Sequence, residues 1–332
     1  MNERLLYGIQ QVGIGVTNIL EAEKWYVRVL AANIKILEDR NPASHMAPYM
    51  GGDTRAKIAV ILLNEHGGGG FELWQHTGRK PLIKKTPIVE GDLGINYIIL
   101  HSSDINRTRQ HLAKYQVPVT SHSGELRFKD PFGNQIHVKS IDSQHNFLFS
   151  GVKGCALGVR DLQASVEFYQ KLGYQAVEDP SISSNQNHEM VQLVSSNHSK
   201  GRMDSFFGDS ELILIKRNNG SAEKIYKDRY WGDPGFIHLC FDVYNLPDWV
   251  SFFNEENSPF TVLSNVDFKM GDAQGHWGYL EDPDGTLIEM VETHKIPIIK
   301  KMGLSIDLTN KSPQKPLPKL FIKALRLKKV HH

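Results

Sequence analysis

A histidine inside one apolar run and a carboxylate inside a later one are the residues of this chain best placed for chemistry. The first run is Gly235-Phe-Ile-His238-Leu-Cys-Phe-Asp-Val243. The second follows the turn Asp282-Pro-Asp-Gly285 and reads Thr-Leu-Ile-Glu289-Met-Val-Glu292. Short apolar runs bounded by turn residues predict buried strands. Side chains alternate along a strand, so His238 shares a face with Phe236 and Cys240, and Glu289 with Leu287 and Val291. An imidazole and a carboxylate on the concave face of one sheet are two-thirds of a common divalent-metal triad. The competing reading of His238 is a hydrogen-bonded core histidine.

The elements that must position these two residues recur four times. Strand openings are read at Gly8-Ile-Gln-Gln11, Gly94-Ile-Asn-Tyr97, Gly151-Val-Lys-Gly154 and Gly235-Phe-Ile-His238. Each strand ends in Asp or Asn (Asn18, Asp104, Asp161, Asn245), the preferred helix N-caps. Helical periodicity follows: Ala22, Trp25, Tyr26, Val29 and Leu30 form one stripe, and Leu162, Val166, Tyr169 and Leu172 another. Pro247 sits early in the fourth helix, where its missing N–H costs little. Closing strands are expected at Phe71–Gln75, at Gln135–Lys139 after the turn Asp130-Pro-Phe-Gly133, at Glu211–Ile215, and at the Glu289 segment. The pattern is βαβββ four times, an α+β chain whose halves also repeat. Boundaries are placed at 1–146, 149–297 and 298–332. Long polar inserts at Asn41–Asp53 and Ser181–Arg202 are expected to be surface loops or lids. The run Gly67–Gly70 lacks the Lys-Ser/Thr of a phosphate loop and is read as a flexible turn.

With 332 residues, 40% apolar and 23% charged, the chain has globular composition and room for two cores. The opening Met-Asn-Glu-Arg is not a secretory pattern, and the aliphatic run Ile58–Leu63 is too short to cross a bilayer. Cys155 and Cys240 form no CxxC, which predicts a reduced, cytoplasmic protein. The net charge of +1 conceals an asymmetry. From Lys300 onward nine Lys or Arg face Asp307 alone, net +8, and the remainder carries 29 basic against 36 acidic residues, net −7.

Four such units, with Phe168-Tyr169 and Leu172-Gly173 in the helix and the closing Asp-Pro-x-Gly-x-x-Ile-Glu, resemble the vicinal oxygen chelate superfamily. This is the group of glyoxalase I, bleomycin-resistance proteins and extradiol dioxygenases. The resemblance covers residues 6–294. It implies modules paired into two glyoxalase-like domains, each a cup of strands, with metal ligands on the first and last strands of the contributing modules. The first-strand positions hold Gln11, Tyr97, Gly154 and His238, and the last-strand positions Glu72, His137, Ile213 and Glu289. Gly154 stands where a ring-cleaving dioxygenase has its first histidine. Extradiol chemistry would need a substitute ligand such as His276 or Glu211.

Pairing the first module with the fourth gives Gln11, Glu72, His238 and Glu289, similar to the glyoxalase I metal set. The second and third would then give the degenerate set Tyr97, His137, Gly154 and Ile213. Pairing within the N-terminal half offers Gln11, Glu72, Tyr97 and His137 instead. The resemblance implies a divalent ion (Zn, Ni, Mn or Fe) and an enediolate formed from a small α-hydroxycarbonyl substrate by an isomerase or lyase. Glu289 is the implied base, with Glu72 second. The alternatives are an iron-dependent dioxygenase and a cup that binds a small molecule without turnover, lined by Trp25, Trp74 and Trp231.

No nucleic-acid partner is expected. In the basic tail, Leu320, Ala324 and Leu327 predict a short amphipathic helix after Pro318, with Phe321 and Leu325 beside the stripe. Docking on the acidic body is favoured over a membrane-surface contact or closure over an anionic substrate.

Overall fold

The computed structural model describes residues 4–178, 184–195, 201–270, 273–299, 304–318 and 323–331. Each of the four modules runs strand, helix, then further strands. The first is β1 (Leu5–Gly15), α1 (Ile19–Leu30), β2 (Ile34–Asp39), β3 (Lys57–Leu63) and β4 (Gly70–His76). The second is β5 (Gly94–Ser102), α2 (Ile105–Lys114), β6 (Thr120–His122), β7 (Glu125–Lys129) and β8 (Gln135–Ser140). The third is β9 (Val152–Val159), α3 (Leu162–Lys171), β10 (Tyr174–Val177), β11 (His188–Ser195), the short α4 (Asp204–Phe207) and β12 (Glu211–Arg217). The fourth is β13 (Gly235–Tyr244), α5 (Leu246–Glu255), β14 (Val262–Leu263), β15 (Phe268–Met270), β16 (Ala273–Glu281) and β17 (Leu287–Ile299), extended by β18 (Leu304–Asp307).

These strands make two sheets. One is ordered β14-β16-β17-β13-β1-β4-β3-β2, with β15 on β16 and β18 on β17, and the other β10-β11-β12-β9-β5-β8-β7-β6. The first sheet therefore joins the first module to the fourth, and the second joins the two middle modules. The position between residues 146 and 149 lies between β8 and β9, and hydrogen bonding crosses it in both sheets: β1 pairs antiparallel with β13, and β5 with β9. In each module the first strand runs parallel to the closing one, as β1 with β4 and β13 with β17.

The turn residues that mark each module also tie modules together. Asp282 Oδ1 accepts from the backbone N–H of Asp284 and Thr286, and Asp282 Oδ2 accepts from the Tyr169 hydroxyl at 3.0 Å. Asp130 repeats this with Phe132, Asn134 and the Tyr26 hydroxyl at 2.8 Å. Each Asp-Pro-x-Gly turn thus captures a buried tyrosine from a preceding module's helix. Side-chain capping holds at Asn18, Asp104 and Asp161, which accept from Glu21, Arg107 and Ala164 N–H. It fails at Asn245, which is left-handed (φ 61°) and caps nothing. The Glu292 carboxylate takes the Leu246 N–H there instead, at 2.9 Å.

Two further expectations change. The Gly67–Gly70 run is buried, not a flexible turn. Gly68 N–H donates to Phe206 O, and a Cβ on Gly68 would stand 2.8 Å from the Gly151 carbonyl carbon, so two chain segments cross where no side chain fits. The tail packs on the body, with Ala324 of the expected stripe against it but Leu327 turned to solvent. Leu317 and Leu325 are buried beside Tyr7, Leu63, Phe206 and Phe207, whereas Leu327 is 66% exposed. Ala324 is partly buried beside them, and Leu320 and Phe321 lie outside the described residues. Lys328 donates to the carbonyls of Ile36 and Pro297, and Arg326 and Lys329 pair with Glu65 at 3.3 and 2.9 Å. Deleting a buried leucine side chain costs about 2–5 kcal/mol. Leu325→Ala is therefore expected to lower the unfolding free energy by about 2 kcal/mol or more, whereas Leu327→Ala leaves it within about 0.5 kcal/mol. Urea denaturation of both variants checks this.

Candidate metal centre

The four central strands of the first sheet each contribute one of Gln11 (β1), Glu72 (β4), His238 (β13) and Glu289 (β17). Their registers place these residues side by side: Gly13 lies opposite both His238 and Glu72, and Cys240 opposite both Gln11 and Glu289. Alternation then turns the four side chains onto one face. Glycine at 13 is required by the fourth partner. A Cβ there would overlap the His238 imidazole.

The ligand-type atoms of Glu72, His238 and Glu289 lie within 4.8 Å of one another, and all three residues are buried. His238 Nε2 is 3.2 Å from Glu72 Oε2 and 3.1 Å from Glu289 Oε2. These are ion-pair distances, yet His238 Nε2 and Glu289 Oε2 make no aligned hydrogen bond. Buried polar atoms are normally hydrogen-bonded, so orphans that converge on one point fit a cation between them. Gln11 Nε2 donates to Glu72 Oε2 at 3.1 Å, leaving the amide oxygen as its ligating atom. The Tyr279 hydroxyl is 3.4 Å from His238 Nδ1, where it orients the ring. Burial pulls the His238 pKa down, but the two carboxylates of Glu289 and Glu72 beside its Nε2 outweigh it and hold the imidazole up to about 9. Without a metal, a proton on His238 offsets part of the carboxylate charge. A divalent ion fits in its place.

Gln11, Glu72 and Glu289 form the floor of a cavity of about 450 Å³, and His238 is fully buried against the two carboxylates. Its walls are aromatic and aliphatic, with Trp74, Trp231, Trp277, Tyr279 and Phe268 on one side. Trp25 is not among them, because it packs into the core against Tyr26 and Phe128. Trp277 is a wall residue that the alternating β16 run Gln274–Glu281 could have signalled. Phe206 and Phe207 of α4, its N-cap Met203 and the tail residue Leu325 also line the cavity. Two further lining residues reach the buried Asp242: Gln10 Nε2 donates to it at 2.8 Å and to Thr293 Oγ1 at 3.0 Å, and the Thr293 hydroxyl donates to Asp242 at 2.8 Å.

The second sheet gathers no such centre among the described residues. Tyr97 and His137 stack at 3.7 Å, away from Gln11 and Glu72 in the first sheet, and Gly154 and Ile213 offer no ligand atom. The His137 ring nitrogens face Gln135 at 2.9 Å and Glu125 at 3.5 Å. The substitute ligands fare no better. Glu211 is held by Lys139 at 2.7 Å and Gln192 at 2.6 Å, and His276 alternates with the wall residues Trp277 and Gly275 and lies outside the lining.

Residues 151–290 match the sequence model of the glyoxalase/bleomycin resistance protein/dioxygenase superfamily. No curated protein sequence matches the chain. The structure is similar to a candidate dioxygenase from Bacillus subtilis (14% identity, TM-score 0.60, covering 86% of this chain and 85% of that one). It is also similar to glyoxalase I from Zea mays (14% identity, TM-score 0.55, covering 87% and 92%). At these identities the likeness is one of fold. Among the described residues no helix is long and apolar enough to cross a membrane.

Burial raises the Asp242 carboxyl from its ordinary 3.8 to about 7, although hydrogen bonds from Thr293 and Gln10 pull the other way. A folded-state pKa above the unfolded one favours the neutral acid in the fold. That stabilisation is full below about pH 4 and disappears as pH rises through about 7. Asp242→Asn cannot ionise, so it should lose less stability than the parent between pH 4 and pH 8 in denaturant titrations. Equal losses would mean that Asp242 does not titrate in this window.

Proposed function

We propose that this chain, whose residues 151–290 match the glyoxalase/bleomycin resistance protein/dioxygenase superfamily, is a metal-dependent enzyme of that superfamily acting on a substrate with two adjacent oxygens. Gln11, Glu72, His238 and Glu289 would hold the ion. The observation that carries this reading is the convergence of His238 Nε2 and two buried carboxylates, partly unpaired, at the floor of a cavity. The donor set is one imidazole nitrogen and three oxygens without thiolate, which suits Zn²⁺, Ni²⁺, Mn²⁺ or Fe²⁺. When bound, such an ion would polarise both substrate oxygens.

The chain's own residues supply the proton transfer. Glu289 is the proposed base, because its Oε2 makes no hydrogen bond and the residue lines the cavity. Glu72 Oε2 is already engaged by the Gln11 amide, which makes it the weaker candidate. In an isomerisation, Glu289 takes the proton from the carbon beside a carbonyl and returns it to the neighbouring carbon. Isomerase or lyase chemistry on an α-hydroxycarbonyl compound follows. The indole-rich wall favours a second reading, a binding cup without turnover, which metal content separates from the first.

Protein purified without chelator is expected to carry about one divalent ion per chain. His238→Ala and Glu289→Gln should each lower occupancy at least about tenfold, and His137→Ala should not. Gly13→Ala should also weaken binding, although it removes no ligand, because its methyl displaces the imidazole. Full occupancy in both ligand variants would place the ion elsewhere, and loss in His137→Ala alone would move it to the second sheet. A metal-free protein that still binds small aromatics would favour the binding cup.

A further inference from the structure

The cavity is larger than the two adjacent oxygens of a small α-hydroxycarbonyl compound require. About 450 Å³ lies within the range of sites that enclose drug-sized ligands. Its far end holds a buried ion pair. Lys57 is 4% exposed, donates to the carboxylate of Asp39, and lines the cavity together with it. Ile61 stands opposite Glu72, and Lys57 lies four residues further along β3, about 13 Å away at strand rise.

A continuous aromatic wall connects the metal centre to this pair. The Trp231 ring is stacked on His238 at 6.3 Å and 11°, Trp74 packs edge-on to Trp231 at 4.2 Å, and Lys57 Nζ stands 5.0 Å from the Trp74 centroid. The indole N–H groups of Trp74 and Trp231 are buried and make no hydrogen bond among the described residues. Taking an ammonium and a carboxylate out of water is costly, and packing alone would be served as well by apolar residues. A position in the wall of a ligand cavity supplies a different use for the pair.

We infer that the cavity takes an elongated, flat aromatic substrate whose far end carries a neutral hydrogen-bonding group, a hydroxyl or amide, selected by Lys57 and Asp39. The inference rests on the metal centre proposed above for the near end. Lys57 can donate to the terminal group and Asp39 can accept from it. The pair is neutral overall, so a terminal anion would meet Asp39 as well as Lys57. The rings lie against Trp74 and Trp231, which stand at 71° to each other, so a flat ring meets one indole face-on and the other edge-on, both favoured aromatic geometries.

Tryptophan fluorescence of the zinc-loaded full chain tests this with four probes: catechol, phenylcatechol, and its para-hydroxyphenyl and para-carboxyphenyl analogues. The hydroxyphenyl probe should bind about tenfold tighter than phenylcatechol, the ratio expected from one or two buried hydrogen bonds. Lys57→Met alone leaves Asp39 buried and unpaired, so the deciding variant is Lys57→Met with Asp39→Asn, verified as folded by urea denaturation. It should bind these two probes alike and catechol as the parent does. The assignment is overturned if the hydroxyphenyl probe has no advantage in the parent, if that advantage survives the double variant, or if the carboxyphenyl probe binds tightest. If catechol binds no better with zinc than without, the metal reading falls. The ranking of hydroxybiphenyl over biphenyl in the metal-free protein then still decides for or against the pair.

Discussion

Two carboxylates buried against one imidazole set the terms for the rest of this structure. Glu72 and Glu289 each lie about 3 Å from the same nitrogen, with almost no solvent to screen them. Buried like charges at such separations are expensive unless a cation sits between them. Around that constraint the fold places a glycine, a tyrosine and an amide. Gly13 makes room for the ring, Tyr279 meets Nδ1, and Gln11 occupies one oxygen of Glu72. None of these could be assembled by one module, because the four strands that carry Gln11, Glu72, His238 and Glu289 come from the two ends of the chain. The antiparallel pairing of β1 with β13, in which Gln11 and Cys240 are register partners, makes a single site out of residues more than two hundred positions apart.

The second sheet shows what the same topology does when the constraint is removed. Its first and last strands pair as in the first sheet, β5 with β8 and β9 with β12. The equivalent positions hold a stacked Tyr97–His137 pair, a glycine and an isoleucine, and the face is closed by Ile99, Ala156, Ile215 and Met190. The Glu211 carboxylate of this sheet carries its own counter-charge, Lys139 at 2.7 Å. Burial raises its pKa, but His101, Lys139 and Gln192 together bring it below the ordinary value. A carboxylate neutralised by a lysine has no need of a metal. The two sheets differ in side chains far more than in backbone, so in this chain the fold sets where ligands would stand and the residues decide whether they do.

Much of this was legible in the sequence, for physical reasons that can be named. The βαβββ repeat is carried by local signals, Asp or Asn caps and Asp-Pro-x-Gly turns, which act within a few residues. The expected first-with-fourth ligand set coincides with the residues the structure gathers, because last-strand and first-strand positions survive in the spacing. What stayed hidden depends on long-range contact. The glycines at 67–70 look like a loop until Gly151 and Phe206 are seen pressed against them. Asn245 has the right residue type for a cap, but Glu292 reaches the helix N-terminus first. Lys57 and Asp39 are 18 positions apart on neighbouring strands, and nothing in their local pattern marks them as a buried pair.

The C-terminal residues show how a cavity wall can rest on the packing of the whole chain. Leu325 touches a small apolar cluster made by Tyr7 of β1, Leu63 of β3 and Phe206 and Phe207 of the third module, and it lines the same cavity as Glu289. The charge asymmetry between body and tail does not need to provide the bulk of this attachment. The ion pairs of Arg326 and Lys329 with Glu65 are partly exposed, and such pairs contribute about 0–1 kcal/mol each. Apolar burial of Leu317 and Leu325 is the larger contribution, with the Lys328 contacts to two carbonyls fixing the register. The shape of the cavity opposite Glu72 and Glu289 is consequently tied to the stability of a segment far from them in sequence. A substitution that loosens the tail would alter the site without touching a ligand.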